Sequence, residues 1–378
     1  KYTGPNSCMI SHSLSYYKVI LLIPSIDTED ENLKYYYDFS QSKAEYDRVF
    51  SELQIEWIWL ELNSNNIVSS ISNCIELYTL EKCIFFNLCD GDEINGAPGI
   101  EVIKYLEKCN AIFTGSHSLF YYLTTSKIVM KERFDELQIA TPHWQRINKS
   151  NAAEVIQSIG VPMIIKPAVS GGSMGVSVRN VVHSVAECLA CIDEIEAGYR
   201  GWNLVDGGII AEEFIVGREF TTLIVGNSQN DKSIRLFNAV ERKFNEILQE
   251  EEKFLSFDRL WETYETESEM PENGHFFEYH KVDHEFNETL NQLTKDAYSS
   301  LLGSGYSRID IRQRSTDGKL FVLEANAQCG ISEDENFTSI GAILRVSKIS
   351  FTELCRQILE DTLINHHSYI YESMHTSS

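Results

Sequence analysis

Two short segments carry charged and amide groups at alternate positions: Arg308-Ile-Asp310-Ile-Arg312 and Val322-Leu-Glu324-Ala-Asn326. Between them, Thr316-Asp317-Gly318 suits a three-residue hairpin loop with glycine in the left-handed position. That loop sets Asp310 opposite Glu324 and Arg308 opposite Asn326. Side chains on a strand alternate between faces, so these four share one face, while Ile309, Ile311, Leu323 and Ala325 share an apolar one. Two carboxylates and an amide crowded together repel unless a cation joins them. Hard oxygen ligands so spaced suit Mg²⁺, which keeps part of its water and takes other ligands from substrate phosphates. The alternative is a solvated charged face, partly neutralised by Arg308 and Arg312.

A second candidate is Lys166-Pro-Ala-Val-Ser170-Gly171-Gly172-Ser173-Met174-Gly175. Its flexible amides and hydroxyls can close over phosphate, with Lys166 as a point charge. No Gly-Lys-Ser/Thr opens a helix here, and extended sequence follows, so it is neither a Walker loop nor a dinucleotide fingerprint. Taken alone it also fits a plain glycine hairpin. A third segment, Ala211-Glu212-Glu213-Phe214-Ile215 followed by Gly217-Arg218-Glu219-Phe220, has the apolar core and acids to line an adenine and ribose slot, with Glu219 on the ribose hydroxyls.

These groups need elements to position them. Lys18–Pro24, Ile55–Leu62, Lys82–Cys89 and Ala111–Thr114 read as strands, alternating with helices at Phe39–Leu53 and Ile100–Cys109, which predicts an open parallel sheet covered on both faces. The loop Cys89–Gly99 leaves the carboxyl end of a strand, where such sheets bind ligands. One long helix is expected over Leu119–Gln138, ending before Thr141-Pro142. Val161–Val181 reads as two strands around the glycine turn. Ser184-Val-Ala-Glu187 is a capping box for a helix whose apolar stripe includes Cys188. Gly208–Val225 is extended with an interruption at Gly217, Glu285–Leu302 is an amphipathic helix, and Phe351–Leu363 closes the chain. The polar, acidic stretch Glu246–Asn273 has the character of a lid or binding loop.

The chain has 378 residues, so two or three domains are expected. Its charge of −24 should repel nucleic acid and anionic lipid, so bound phosphate must be held by a few placed cations, amides or metal ions. The apolar runs are too short to span a membrane. The start, Lys1–Ser15, lacks the apolar core of a signal peptide and an initiator Met, which fits a truncation or a cloning remnant. Nine scattered cysteines read as reduced thiols in a cytoplasmic protein; Cys188 and Cys191 have no second pair with which to make a metal knuckle.

The three segments, in this order and spacing, resemble the ATP-grasp ligases, most closely their D-alanine–D-alanine ligase-like branch. The resemblance runs from about Phe85 to the end, through Phe86–Gly91, Thr114-Gly115-Ser116, Ser126-Lys127 with Lys131, Ile165-Lys166-Pro167, the glycine turn, EEFIVGREF, Ser307–Asp310 and Leu323–Asn326. It implies an α/β and α+β ATP-grasp fold. An open parallel α/β domain spans 1–140, a central lid subdomain 141–215, and an antiparallel-sheet catalytic domain 216–378, with ATP between the last two. It further implies that Lys127 and Lys166 contact the phosphates under a mobile lid of Gly171, Gly172, Ser173 and Gly175. Glu212, Glu213, Phe214 and Ile215 would meet adenine, and Glu219 the ribose. Asp310, Glu324 and Asn326 would bind two Mg²⁺ ions, with Mn²⁺ as a substitute. Arg308, Lys166 and Ser173 are the catalytic candidates; Arg308, Gly330, Ser332 and Glu335 are the substrate candidates. The reaction so implied is carboxylate activation as an acyl phosphate and attack by an amine, releasing ADP and phosphate, in a homodimer built through the first domain. Cys329 is not needed as a nucleophile.

The departures concern substrate. The run Ala327–Glu335 replaces the family's Pro-Gly-Met turn and serine residues and puts acids near the place where the amine's carboxylate docks. Cys89-Asp90-Gly91 stands where a His-Gly loop is expected. The early loop that grips the first D-alanine is not recognisable in Ser25–Asn32, and the nucleotide loop near Leu255–Trp261 lacks its lysine, for which Arg259 or Lys281 are candidate replacements. These features favour an acid other than D-alanine. A mycosporine-type ligase condensing an amino acid with a cyclohexenone, and a non-catalytic ATP-binding regulator, are the alternatives.

Overall fold

The computed structural model describes residues 13–92, 94–271 and 274–376; the segment 1–12, with most of the expected leader-free start and Cys8, lies outside them, as does Glu93 in the loop after the third strand. Three sheets follow one another along the chain. The first holds β1 (Lys18–Pro24), β2 (Glu56–Leu62), β3 (Cys83–Asn87) and β4 (Ile112–Phe113), all parallel, in the order β2-β1-β3-β4. The apolar run Val19–Ile23 makes β1 the central strand, with nearly every side chain buried. Each fully buried Ile, Leu or Phe there contributes about 1.5–3 kcal/mol. Strand order reverses between β1 and β3, so the loops leaving those two carboxyl ends flank a crevice.

The second sheet, in the order β5-β8-β6-β7, holds β5 (Trp144–Arg146), β6 (Met163–Pro167), β7 (Val181–Val182) and β8 (Ile209–Glu213), antiparallel throughout. The helix Val185–Ala197 begins where the Ser184 hydroxyl accepts from the Glu187 amide, and it buries Cys188, Cys191, Ile192 and Ile195 against this sheet. The third sheet is antiparallel too. Its main path, β12-β11-β9-β13-β14, comprises β9 (Gly217–Val225), β11 (Val240–Phe244), β12 (Phe277–Lys281), β13 (Tyr306–Arg314) and β14 (Leu320–Ala327), with β10 (Arg235–Leu236) paired to β9. The helix His284–Ser300 covers one face through Leu290 and Ala297, packed with Phe220, Ile309 and Val322.

Four expectations need correction. Leu119–Gln138 is two helices, Ser118–Thr125 and Lys127–Glu136, because Ser126 is extended and the Lys127 amide donates to Ala168 O at 2.8 Å on the next sheet. Gly208–Val225 is not one interrupted strand, since β8 and β9 belong to different sheets and the break is Phe214–Val216. The hairpin loop has four residues, closed by the Arg314 amide on Lys319 O at 2.9 Å. The strands therefore leave it with Ile311 opposite Val322, and a bulge restores Asp310 opposite Glu324. The extra residue turns Leu323 out of the apolar face; Val322 takes its place in the core. The acidic stretch is also more structured over residues 246–271 than its lack of periodicity implied. It buries Phe254 and Phe257, and the Asp258 carboxylate gathers Thr263, Thr266 and the Glu267 amide. Among the described residues no helix is long and apolar enough to cross a membrane.

Gln328, at the end of β14, is nearly fully buried and joins the first and third sheets. Its side-chain NH₂ donates to Asn87 O at the end of β3, and its Oε1 accepts from the Ser116 amide at 2.9 Å. Gly115 is required beside it, since a Cβ there would lie 2.0 Å from Gln328 Oε1. Gln328→Leu leaves a buried donor and acceptor unpaired, so we expect a loss of about 1–3 kcal/mol. A fall in the urea midpoint of the full-length chain measures it; an unchanged midpoint would show that the junction does not depend on Gln328.

Candidate active site

A cleft of about 580 Å³ lies between the second and third sheets and extends beneath the first. Its floor is the face of the third sheet that carries Glu219 and Asp310. Register lines the floor residues up in rungs. Arg242, Glu219 and Arg312 face one another across β11, β9 and β13. Thr221, Asp310 and Glu324 form the next rung, and Leu223, Arg308 and Asn326 the one beyond. Because the bulge swings Leu323 to this side, it lines the cleft beside Glu324.

Each rung has its own electrostatics. Asp310 accepts from Thr221 Oγ1 at 2.8 Å, from Arg308 Nε at 3.2 Å and from Asn326 Nδ2 at 3.3 Å. Burial alone would raise the Glu324 carboxyl, but Lys127, Arg308 and Lys166 hold it below the usual carboxylate range; Lys127 Nζ stands 3.6 Å away. Glu219 is buried between Arg242 and Arg312, with Arg312 Nε at 3.1 Å. Arg312 also donates to Ile215 O at 2.7 Å and to Lys253 O. The ribose candidate is thus already engaged by two guanidiniums, and one adenine candidate's carbonyl is taken.

On the opposite wall, Glu212 Oε2 lies 3.5 Å from both Lys131 Nζ and Lys166 Nζ. Burial would raise this carboxyl; Lys131, Lys166 and Lys127 together pull it below its ordinary value. Burial lowers the Lys131 ammonium, which Glu212 and Thr141, at 2.6 Å, help to hold. Glu213 is bound by Arg314 at 2.8 Å, and Phe214 packs under Arg312. The glycine turn closes over the cleft with Ser173 at φ 62°. It is clasped by two other cleft residues, Trp261, whose indole donates to Gly172 O at 2.8 Å, and Lys127, whose Nζ donates to Ser170 O at 3.3 Å.

Most expected positions therefore meet in one cleft: Lys127, Lys166, Gly171, Gly172, Ser173, Glu212, Glu213, Phe214, Ile215, Glu219, Arg308, Asp310, Glu324, Asn326, Gly330 and Ser332. Gly175 and Glu335 do not line it. Gly175, at φ 76°, instead lets the backbone pass Leu204, and Glu335 turns outward to Arg345 at 3.8 Å. The acids expected near the amine face elsewhere as well. Glu333 is paired with Arg48 at 2.6 Å, and the Ser332 hydroxyl donates to the buried Glu45 at 2.7 Å, so these residues dock the helix Ser40–Glu52. Neither Arg259 nor Lys281 lines the cleft; Arg259 is tied to Glu252 at 2.9 Å. Arg242, Arg312, Leu323 and Asp90 are cleft residues that strand alternation alone did not single out as a site. Arg312 shares the parity of Arg308 and Asp310 and was the most readable of them. Burial pushes the Cys329 thiol up to about 11, so it stays protonated and is no ready nucleophile.

A family model described as D-ala D-ala ligase C-terminus matches residues 134–360. A D-alanine–D-alanine ligase of Verminephrobacter eiseniae is 26% identical over 257 residues, covering 67% of this chain and 69% of the relative. D-alanine–D-alanine ligase B of Xanthomonas campestris pv. campestris is 26% identical over 282 residues, covering 74% and 77%. The crystal structure of a D-alanine–D-alanine ligase from Bacillus anthracis complexed with ATP superposes with a TM-score of 0.66 at 16% identity, over 93% of this chain and 99% of that one.

The Glu219 rung carries its own prediction. Glu219→Gln removes the carboxylate between two buried guanidiniums, and an uncompensated buried charge costs about 3–5 kcal/mol. Urea unfolding of the variant should show a loss in that range, and a loss below about 1 kcal/mol, the value of an exposed pair, would place this rung effectively in solvent.

Proposed function

Because the chain belongs to the D-ala D-ala ligase C-terminal family and is an ATP-dependent carboxylate–amine ligase, we propose that it activates a small, amino-acid-like carboxylic acid and joins it to an amine or amino acid. D-Alanine, named in its relatives, is the first acid to test. The docking roles of Glu333, Glu335 and Ser332 remove the earlier charge argument against an amine that bears its own carboxylate. The observation that carries the reading is the meeting of Lys127, Lys166, Arg308, Asp310, Glu324 and Asn326 in one cleft. Three successive sheets also support a division into 1–140, 141–215 and 216–378.

A carboxylate is a poor electrophile, and making it an acyl phosphate supplies a leaving group. The chain's part is positioning and charge compensation. Lys127 and Lys166 bind phosphate oxygens, the Gly171–Ser173 amides close over them, and Trp261 holds that turn shut against water. Arg308 stays charged because Asp310 and Glu324 outweigh its desolvation, so it can bind the reacting carboxylate and the charge that builds on it.

No three His, Cys, Asp or Glu side chains among the described residues form a ready metal cage. The donors present are two carboxylates and an amide oxygen that open onto the cleft, with Glu324 held ionised, and this set fits Mg²⁺, whose remaining ligands come from water and phosphate. We assign the expected pair of ions to Asp310, Glu324 and Asn326; when bound, they neutralise and orient the transferring phosphoryl group.

The test is ADP release with Mg²⁺-ATP against carboxylic acids, D-alanine first, crossed with amino acids, with product masses recorded. Expected are ADP formation dependent on both partners, a product of their summed mass less water, and loss of both with EDTA or in the Asp310→Asn, Glu324→Gln double variant. Tight ATP binding without turnover across the panel would overturn the reading.

A further inference from the structure

An amine reaching an acyl phosphate at neutral pH arrives as an ammonium, whose lone pair is blocked until a proton leaves. Among the described residues no histidine lines the cleft, so the base must be sought among its carboxylates. Six are already engaged: Asp92 by Asn95, Glu212 by Lys131 and Lys166, Glu213 by Arg314, Glu219 by Arg242 and Arg312, Asp310 by Thr221 and Arg308, and Glu324 by Lys127. The seventh, Asp90, has no side-chain partner among the described residues and opens onto the cleft.

Its placement follows from topology. Asp90 lies just beyond the carboxyl end of β3, at the crevice where strand order reverses. The Asn87 side chain accepts from the Cys89 amide at 3.0 Å, and Gln328 binds Asn87 O, so this turn is braced against the strand that carries Glu324 and Asn326. Gln328, bound to Asn87 O, follows Asn326 by two residues, and Asn326 lies opposite Arg308, so the loop that carries Asp90 meets the cleft at its Arg308 end. Apolar Phe39, Leu88, Ile331 and Ile340, drawn from one core cluster, also line the cleft, and of the two acids on this loop Asp92 is bound by the Asn95 amide and side chain while Asp90 stays open.

We propose, resting on the ligase reading, that Asp90 binds the ammonium group of the acceptor and acts as the base that frees it for attack. In this step R–NH₃⁺ gives one proton to the Asp90 carboxylate, and the released lone pair forms the C–N bond at the acyl carbon. The C–O bond to phosphate breaks with its electron pair staying on phosphate, which takes the second proton lost by nitrogen. The neutral Asp90 then releases its proton to solvent as product leaves. Protein around the recess raises the Asp90 carboxyl, closer to an amine than an ordinary carboxyl, while its opening onto the cleft keeps it ionised at neutral pH. The titratable groups packed about it are Tyr121 from the helix Ser118–Thr125, Tyr306 from β13, and Cys329 and Cys89; burial raises all four, so none is charged there at neutral pH. Asp92 follows on the same loop, where it holds the Asn95 amide and side chain.

The experiment compares two nucleophiles with full-length wild type, Asp90→Asn and Asp90→Glu, using Mg²⁺-ATP with D-alanine or, if another acid of the panel releases more ADP, that acid. Hydroxylamine is uncharged at neutral pH and needs neither an ammonium site nor a base; an amino acid acceptor needs both. In Asp90→Asn, amide formation at pH 7 should fall by about 100-fold more than hydroxamate formation, the gap should narrow towards pH 9, and Asp90→Glu should regain part of the amide rate. Equal losses with the two nucleophiles, or an amide rate within about threefold of wild type at pH 7, would overturn the assignment. A wild-type chain that forms neither ADP nor hydroxamate with any acid overturns the ligase reading, and this proposal with it, before any variant is compared.

Discussion

Compensation of charge in a confined, poorly solvated space is the constraint on which this molecule rests. The chain carries a large acidic excess, yet its cleft must accept a triphosphate and a carboxylate. It does so by pairing Glu212, Glu213, Glu219 and Glu324 with cations from other elements. Glu212 is held by lysines from β6 and the helix Lys127–Glu136, Glu324 by Lys127, and Glu219 by arginines from the two strands that flank β9. A buried ion of either sign costs several kcal/mol unless it is paired, so each pairing constrains where whole elements sit. The same lysines and arginines are then already placed for an anionic ligand.

The second determinant is the joint between the first sheet and the third. Gln328 ties β3 and the turn at Gly115 to the end of β14, while Arg48–Glu333 and Glu45–Ser332 tie the helix Ser40–Glu52 to the segment that follows. These bonds bring the carboxyl end of β3 over the end of the cleft that holds Arg308 and Asn326. The phosphate end is closed differently, by Trp261 reaching the glycine turn. On the function proposed above, the end between the second and third sheets takes the nucleotide and the end roofed by the first takes the carboxylate and the amine.

How much of this could be read in advance depended on whether a feature was local. The alternation Arg308-Asp310 and Glu324-Asn326 placed acids and amide on one face, and their pairing is as the alternation implied. It came about by another route, since a longer loop was offset by a bulge whose residue is not marked by composition, and Leu323 changed sides as a result. Ser126 is extended because its neighbour bonds to Ala168 on another sheet, which no helical periodicity could register. The acidic stretch 246–271 hid a short helix because its order comes from Asp258 collecting turn amides and from aromatic burial.

By itself the sequence determined the identities and local spacing of the groups: the hairpin oxygens, the glycine turn with its lysine, the paired acids and the strand–helix alternation of the first domain. These follow from side-chain chemistry and from backbone periods of two and about 3.6 residues, which act over a few positions. Only the tertiary structure decided which acids are engaged and which is open. It locked Glu219 between arginines, turned Glu333 and Glu335 outward, left Gly175 and Glu335 off the cleft and Asp90 within it. Whether a carboxylate has a partner depends on cations brought from distant parts of the chain, and electrostatic energy is set by distance in space and by the water that burial removes.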